Sequence, residues 1–217
     1  MTTNPQSVVF DYRTLRLMIG IFAFSLPFVV WWVAREPLPS VSASYHTSAR
    51  DLFVGIIFVV AAFLAAYNRH TKGQFWASKV AALAAAGVAL FPTASDCKGT
   101  SESTIHFIAA ALLFGILAYF CLVPFYRKTR RGSTKQRRRA FIYLLCGGAI
   151  ILAMLSVLIA NLALTCEAVH ARRIIFWAEA AALWSFGIAW LVAGKAFRVI
   201  AEPEEQLTFT ANGSIGN

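Results

Sequence analysis

AFIYLLCGGAIILAMLSVLIANLAL, residues 140–164, contains no Asp, Glu, Lys or Arg. The hydrocarbon core of a bilayer is about 30 Å thick, and a helix crosses it with about 20 apolar residues. This run is long enough alone. It follows directly on RKTRRGSTKQRRR, residues 127–139, which holds eight basic side chains. An apolar run of spanning length beside a basic run is the signature of a membrane helix with its charged flank at the headgroups. Working outward, five further apolar stretches cover residues 15–34, 51–67, 78–91, 106–125 and 174–197. None alternates with period two, so helices rather than barrel strands are expected.

The expected fold is all-α, a polytopic membrane bundle of six transmembrane helices. It divides into a cytoplasmic segment (residues 1–14), the bundle (15–198) and a flexible cytoplasmic tail (199–217). Composition agrees. Of 217 residues, 59% are hydrophobic and 14% charged, against about 25% charged in soluble domains. That balance excludes a disordered chain, a disulfide-rich mini-protein and an ordinary soluble enzyme. The start of the chain lacks the basic opening and small-residue cleavage pattern of a signal peptide, so the first span is expected to be retained.

Basic residues orient the spans. One set of loops carries 15 Lys and Arg: Arg13, Arg16, Arg69, Lys72, Lys79, the eight of residues 127–139, Lys195 and Arg198. The other carries five: Arg35, Arg50, Lys98, Arg172 and Arg173. Both termini are therefore expected in the cytoplasm, and the protein in a cell membrane, the bacterial cytoplasmic membrane being the first choice. The basic run reads as an anchor for anionic headgroups. No aromatic residue interleaves with its charges, so no nucleic-acid partner is expected. Trp31, Trp32, Trp76, Trp177 and Trp190 lie near span ends and read as interfacial anchors.

Cys97 and Cys166 fall on the expected outer side, and a disulfide between them is preferred over two free thiols. It would close about 70 residues, worth roughly 4 kcal/mol. Cys121 and Cys146 read as packing residues.

Charges inside spans are costly and mark candidate sites. Glu179 lies in the sixth span, Asp51 opens the second and His106 opens the fourth. With the N-terminus inside, all three sit near the outer face, with His46, Arg50 and His170. Three readings compete for this cluster. His46, Asp51, His106 and Glu179 could hold a metal such as zinc, whose bound water would hydrolyse a lipid amide or ester. The cluster, with Arg50 and Arg172 for an anion and the carboxylates for a cation, could bind a lipid headgroup or small ligand. Or the residues pair only with each other, in an accessory or structural subunit whose partners are membrane proteins. Ser42, Ser44 and Ser48 are expected to cap the second helix, Asn161 to bond across helices, and Gly147–Gly148 to mark a close helix contact. No serine-hydrolase elbow or phosphate loop is present.

The stretch Ser44-Tyr45-His46-Thr47-Ser48-Ala49-Arg50-Asp51-Leu52-Phe53-Val54-Gly55, the Phe91-Pro92-Thr93 turn, and Phe176-Trp177-Ala178-Glu179 with Trp184-Ser185-Phe186-Gly187-Ile188-Ala189-Trp190 resemble a group of bacterial six-helix integral membrane proteins of no established activity. A more distant similarity is to the alkaline ceramidase and adipoQ receptor superfamily, seven-helix hydrolases with a zinc site of Ser, Asp and three His. That resemblance implies roles for Ser44 or Ser48, Asp51 and His106. The chain departs from it in having six spans, and Glu179 where the last helix of the family carries two His.

Overall fold

A computed structural model describes residues 12–67, 71–94, 97 and 99–201. The expected N-terminal segment through residue 11, the acidic tail with Glu202, Glu204 and Glu205, and Arg69, His70, Asp96 and Lys98 lie outside the described residues.

The described residues form helices and no strand. Six are long: α1 (Tyr12–Ala34), α2 (Arg50–Ala66), α3 (Lys72–Leu90), α4 (Ser101–Thr129), α5 (Thr134–Ala163) and α6 (Ile174–Ala193). A 3-10 turn, Ser42–His46, precedes α2, and a short helix, Cys166–Ala171, precedes α6. Four of the six, α1, α4, α5 and α6, are long and apolar enough to cross a membrane. α2 has only 17 residues, fewer than the ~20 a straight span takes. α3 carries Lys72 and Lys79 in its first half.

Most helices outrun their apolar stretches. α3 starts six residues before its expected onset, α4 five before and α5 six before. Lys, Arg and Gln are good helix formers, so a helix has no reason to stop where hydrophobicity does. At α4 and α5 side-chain caps set the starts instead, while Thr71 before α3 makes no such bond. Thr100 Oγ1 accepts from Ser103 N while Ser103 Oγ accepts from Thr100 N, and Ser133 Oγ accepts from Gln136 N. Near its end, α4 relaxes into a π turn over Cys121–Phe125, which contains Pro124. Proline lacks an N–H and its ring crowds the carbonyl four residues back, and a wider turn relieves both.

Each helix packs on the next in sequence, and α6 closes on α1. Consecutive helices run in opposite directions, so loops gather at two ends. At one end the start of α1 meets the end of α6: Arg13 Nε donates to Gly194 O (3.1 Å), Arg16 Nη1 to Ala193 O (2.9 Å), Arg16 Nη2 to Tyr67 Oη (3.2 Å) and Lys135 Nζ to Ala201 O (2.9 Å). At the other end Phe176 N donates to Pro39 O (3.0 Å), and Cys97 and Cys166 form the expected disulfide.

Two contacts hold the ring shut. Trp190 on α6 is fully buried, with ring centroids 5.0–5.9 Å from Tyr67, Phe120, Phe125 and Phe186. It is a core residue and not the interfacial anchor expected from its place near a span end. Trp31, Trp32, Trp76 and Trp177 are exposed, as anchors must be. The second contact is backbone on backbone. A Cβ on Gly20 of α1 would lie 3.0 Å from Gly187 O, and one on Gly187 would lie 2.9 Å from Gly20 O. Of the expected pair in α5, Gly147 meets Leu122 closely while Gly148 faces open space.

Candidate functional site

The connection between α1 and α2 folds back over the start of α6. Arg173 adopts a left-handed backbone (φ 52°) that turns the chain into α6, and its Nε donates to Leu38 O at 2.9 Å. Phe176 N takes Pro39 O, which leaves the 3-10 turn directly above Glu179. Ser42 N donates to Glu179 Oε2 and Ser42 Oγ to Glu179 Oε1, both at 3.1 Å. Ser40 Oγ lies 3.2 Å from Ser42 Oγ and accepts from Ala43 N. One serine thus engages both carboxyl oxygens of the one acidic residue deep in α6. The N-terminal turns of α6 are small or apolar, so nothing else there competes for it.

The serines therefore do not cap α2. Ser42 serves Glu179, Ser44 Oγ donates back to Val41 O, and Ser48 Oγ reaches Val33 O at the end of α1. The α2 cap position is Ala49, without a side-chain bond, and Asp51 sits in the first helical turn. A carboxylate there favours the positive end of the helix dipole.

Glu179 lies between two cavities. The first is internal, about 30 Å³, and is lined by Ser42, His106 and Glu179 among apolar side chains. That is room for about two waters. His106 Nδ1 donates to Phe91 O at 2.8 Å. A carbonyl only accepts, so the proton is on Nδ1, and a neutral ring presents Nε2 as an acceptor. The second cavity is a groove of about 300 Å³ between α4, α5 and α6. Phe107, Ala111, Phe114, Met154 and Val157 line it, and its polar residues are Glu179 and Asn161. Phe107 is 46% exposed and Leu158 54%, so its mouth opens sideways from the bundle. Asn161 Nδ2 donates to Val157 O of its own helix, not across helices.

Of the expected cluster, the structure brings His106 and Glu179 to one cavity and sends the rest elsewhere. His46 Nε2 pairs with Thr93 O at 2.7 Å, so the two histidines grip the 91–94 loop by its carbonyls. Arg50 stacks on Tyr45, 4.5 Å from the ring centroid, and donates to its hydroxyl. Asp51 and Arg172 are exposed. A zinc site of Ser44, Asp51 and His106 would need one set of converging donors. Ser44 and His106 are buried while Asp51 faces outward, so these residues do not fit that ion. Among the described residues, the trio whose ligand atoms lie within 4.8 Å of one another is Cys97, Cys166 and His170. Sequence reasoning overlooked the groove itself. Its signal in the sequence was the run of alanines beside Glu179 on α6, side chains too small to fill the space between neighbouring helices.

No family model, curated protein or solved structure matches the chain.

Ser42→Ala tests the local architecture. It removes one of the two bonds to Glu179 and keeps the backbone one, and is expected to cost about 1–2 kcal/mol. A thermal midpoint unchanged from wild type would show that this bond contributes nothing.

Proposed function

We propose that this is an integral membrane protein of six spans with both termini in the cytoplasm, which binds an amphiphile in the lateral groove and holds its polar head at Glu179. The observation that carries the reading is a carboxyl group at the wall of a groove that is apolar but for it and Asn161, and that opens sideways from the bundle. A carboxyl inside an apolar span is costly and marks a candidate site even when one serine bonds it. The groove spans Phe107 to Phe114 on α4 and Ala153 to Asn161 on α5, about 10–12 Å at 1.5 Å per residue. Its volume lies at the lower end of ligand pockets, about 300–1,000 Å³. A single apolar chain suits that shape. Each oxygen of Glu179 already accepts from Ser42 and keeps a further lone pair, so the head that suits it is a hydrogen-bond donor, a hydroxyl or an amine.

The orientation rests on the basic residues. Arg13, Arg16 and Lys135 share the end where α1 starts and α6 stops, and the disulfide lies at the opposite end, as a bacterial cytoplasmic membrane with an oxidising exterior would require.

The test uses a long-chain alcohol carrying a photoreactive diazirine, in phosphatidylcholine vesicles with the reconstituted protein. Wild type is expected to label in peptides covering residues 107–114, 153–161 and 175–182. Ala111→Trp fills the groove from an exposed position, and Glu179→Leu removes the acceptor. Each is expected to cut that labelling several-fold. Equal labelling in all three proteins would overturn the reading.

A further inference from the structure

The disulfide end of the bundle carries a second chemistry, independent of the groove. Cys166 opens the short helix before α6, and His170 lies one turn on, with Nε2 3.7 Å from Cys166 Sγ. Cys97 reaches the same point from the loop between α3 and α4, with Cα atoms 5.8 Å apart. Cys97 is exposed, and Cys166 and His170 are half-buried, so solutes reach the trio.

One of the distances a metal needs is already in place. Zn–S bonds are about 2.3 Å and Zn–N bonds about 2.0–2.1 Å, which puts tetrahedral S···N edges near 3.6 Å and S···S edges near 3.8 Å. The sulfur–nitrogen edge is already present at 3.7 Å. The two sulfurs must separate to about 3.8 Å, which rotation about the Cα–Cβ bonds supplies at a Cα spacing of 5.8 Å. Two thiolates and an imidazole are a borderline-soft donor set suited to zinc, with a fourth position left for water.

We propose that Cys97, Cys166 and His170 form a redox-gated zinc site, closed as a disulfide when oxidised and able to bind one Zn²⁺ when reduced. A small dithiol supplies the reductant. Its two electrons cleave the Cys97–Cys166 bond, its two protons pass to the cysteine sulfurs, and it leaves as its own disulfide. Zn²⁺ then displaces both thiol protons and takes the lone pair of His170 Nε2, whose ring keeps its proton on Nδ1. A small disulfide reverses the step: it takes two electrons from the two thiolates and two protons from solvent to become a dithiol, the Cys97–Cys166 bond re-forms, and Zn²⁺ leaves. The site joins the loop after α3 to the turn before α6, so metal and disulfide are alternative ties between the same two segments.

Cobalt(II) serves as a spectroscopic probe. Purified protein, reduced with a dithiol and freed of it, is titrated with Co²⁺ and then Zn²⁺. One Co²⁺ per chain is expected, with sulfur-to-metal charge-transfer absorption and tetrahedral d–d bands, both removed by Zn²⁺. The oxidised protein shows neither. Cys166→Ser abolishes the signal. Loss of an outer-sphere partner alone costs metal sites about 10–100-fold, so His170→Ala is expected to weaken binding at least that much. Where reduction unfolds the detergent-solubilised chain, native membranes give a second reading. There Zn²⁺ is expected to slow maleimide alkylation of Cys97 and Cys166 in wild type and not in His170→Ala. A folded, reduced protein without the cobalt bands, alkylation indifferent to zinc, or His170→Ala binding as well as wild type would each overturn the proposal.

Discussion

Trp190→Ala is expected to destabilise the folded chain by about 3–5 kcal/mol, the usual cost of emptying a large aromatic site in a core. The indole is fully buried and touches four aromatic rings from three places: Tyr67 after α2, Phe120 and Phe125 on α4, and Phe186 one turn back on α6. Those rings are themselves large and locked against one another, so they cannot collapse into the vacancy. The indole Nε1 has no hydrogen-bond partner, so little polar energy is lost with it. Trp190→Phe keeps most of the volume and should cost clearly less. Unfolding of the detergent-solubilised protein, followed by circular dichroism against denaturing detergent, distinguishes the two. Similar midpoints for Trp190→Ala and wild type would mean that the aromatic cluster does not hold the bundle.

Gly187→Ala is the second large effect, and its direction is opposite in kind: too much volume rather than too little. The added methyl would sit 2.8 Å from Phe24 Cβ, 2.9 Å from Gly20 O and 3.0 Å from Phe24 N. Two of those three atoms belong to the α1 backbone, so no side-chain rotation relieves the contact. The helices must move apart along their whole seam. Overpacking costs about 1–3 kcal/mol, and a clash against backbone belongs at the upper end. Gly20→Ala meets the same seam from the other side. The double variant is expected to cost less than the sum of the singles, because one separation of the helices serves both. Strict additivity in the same unfolding assay would contradict a shared seam.

The helical class was legible because apolar length is read directly from composition, and 140–164 alone suffices. The disulfide was legible because two cysteines shared a side. Trp190 was misread because depth along a helix says nothing about which face a residue takes. The last helix is almost uniformly apolar, so no periodicity separates its core face from its lipid face. Glu179 was legible as a candidate, since a carboxyl in an apolar helix is rare. Its partner was not, because Ser42 lies 137 residues away and only the fold-back of 38–42 brings it there. His46 and Asp51 appeared to share a site because they share a depth. Depth is one coordinate of three, and the histidine turned to a backbone carbonyl while the aspartate faced outward.

The seam between the first and last helices also has a history in time. Gly20 leaves the ribosome roughly 170 residues ahead of Gly187, which at about 5–20 residues per second is a wait of roughly 10–30 s. Throughout it the notched face of α1 has no counterpart, and Arg13 and Arg16 lack the carbonyls of Ala193, Gly194 and Lys195 that they later hold. The bundle is a ring whose clasp is made last. A nascent chain stopped short of α6 therefore exposes the small-residue notch at Gly20 and leaves Arg13 and Arg16 without the carbonyls that close the ring.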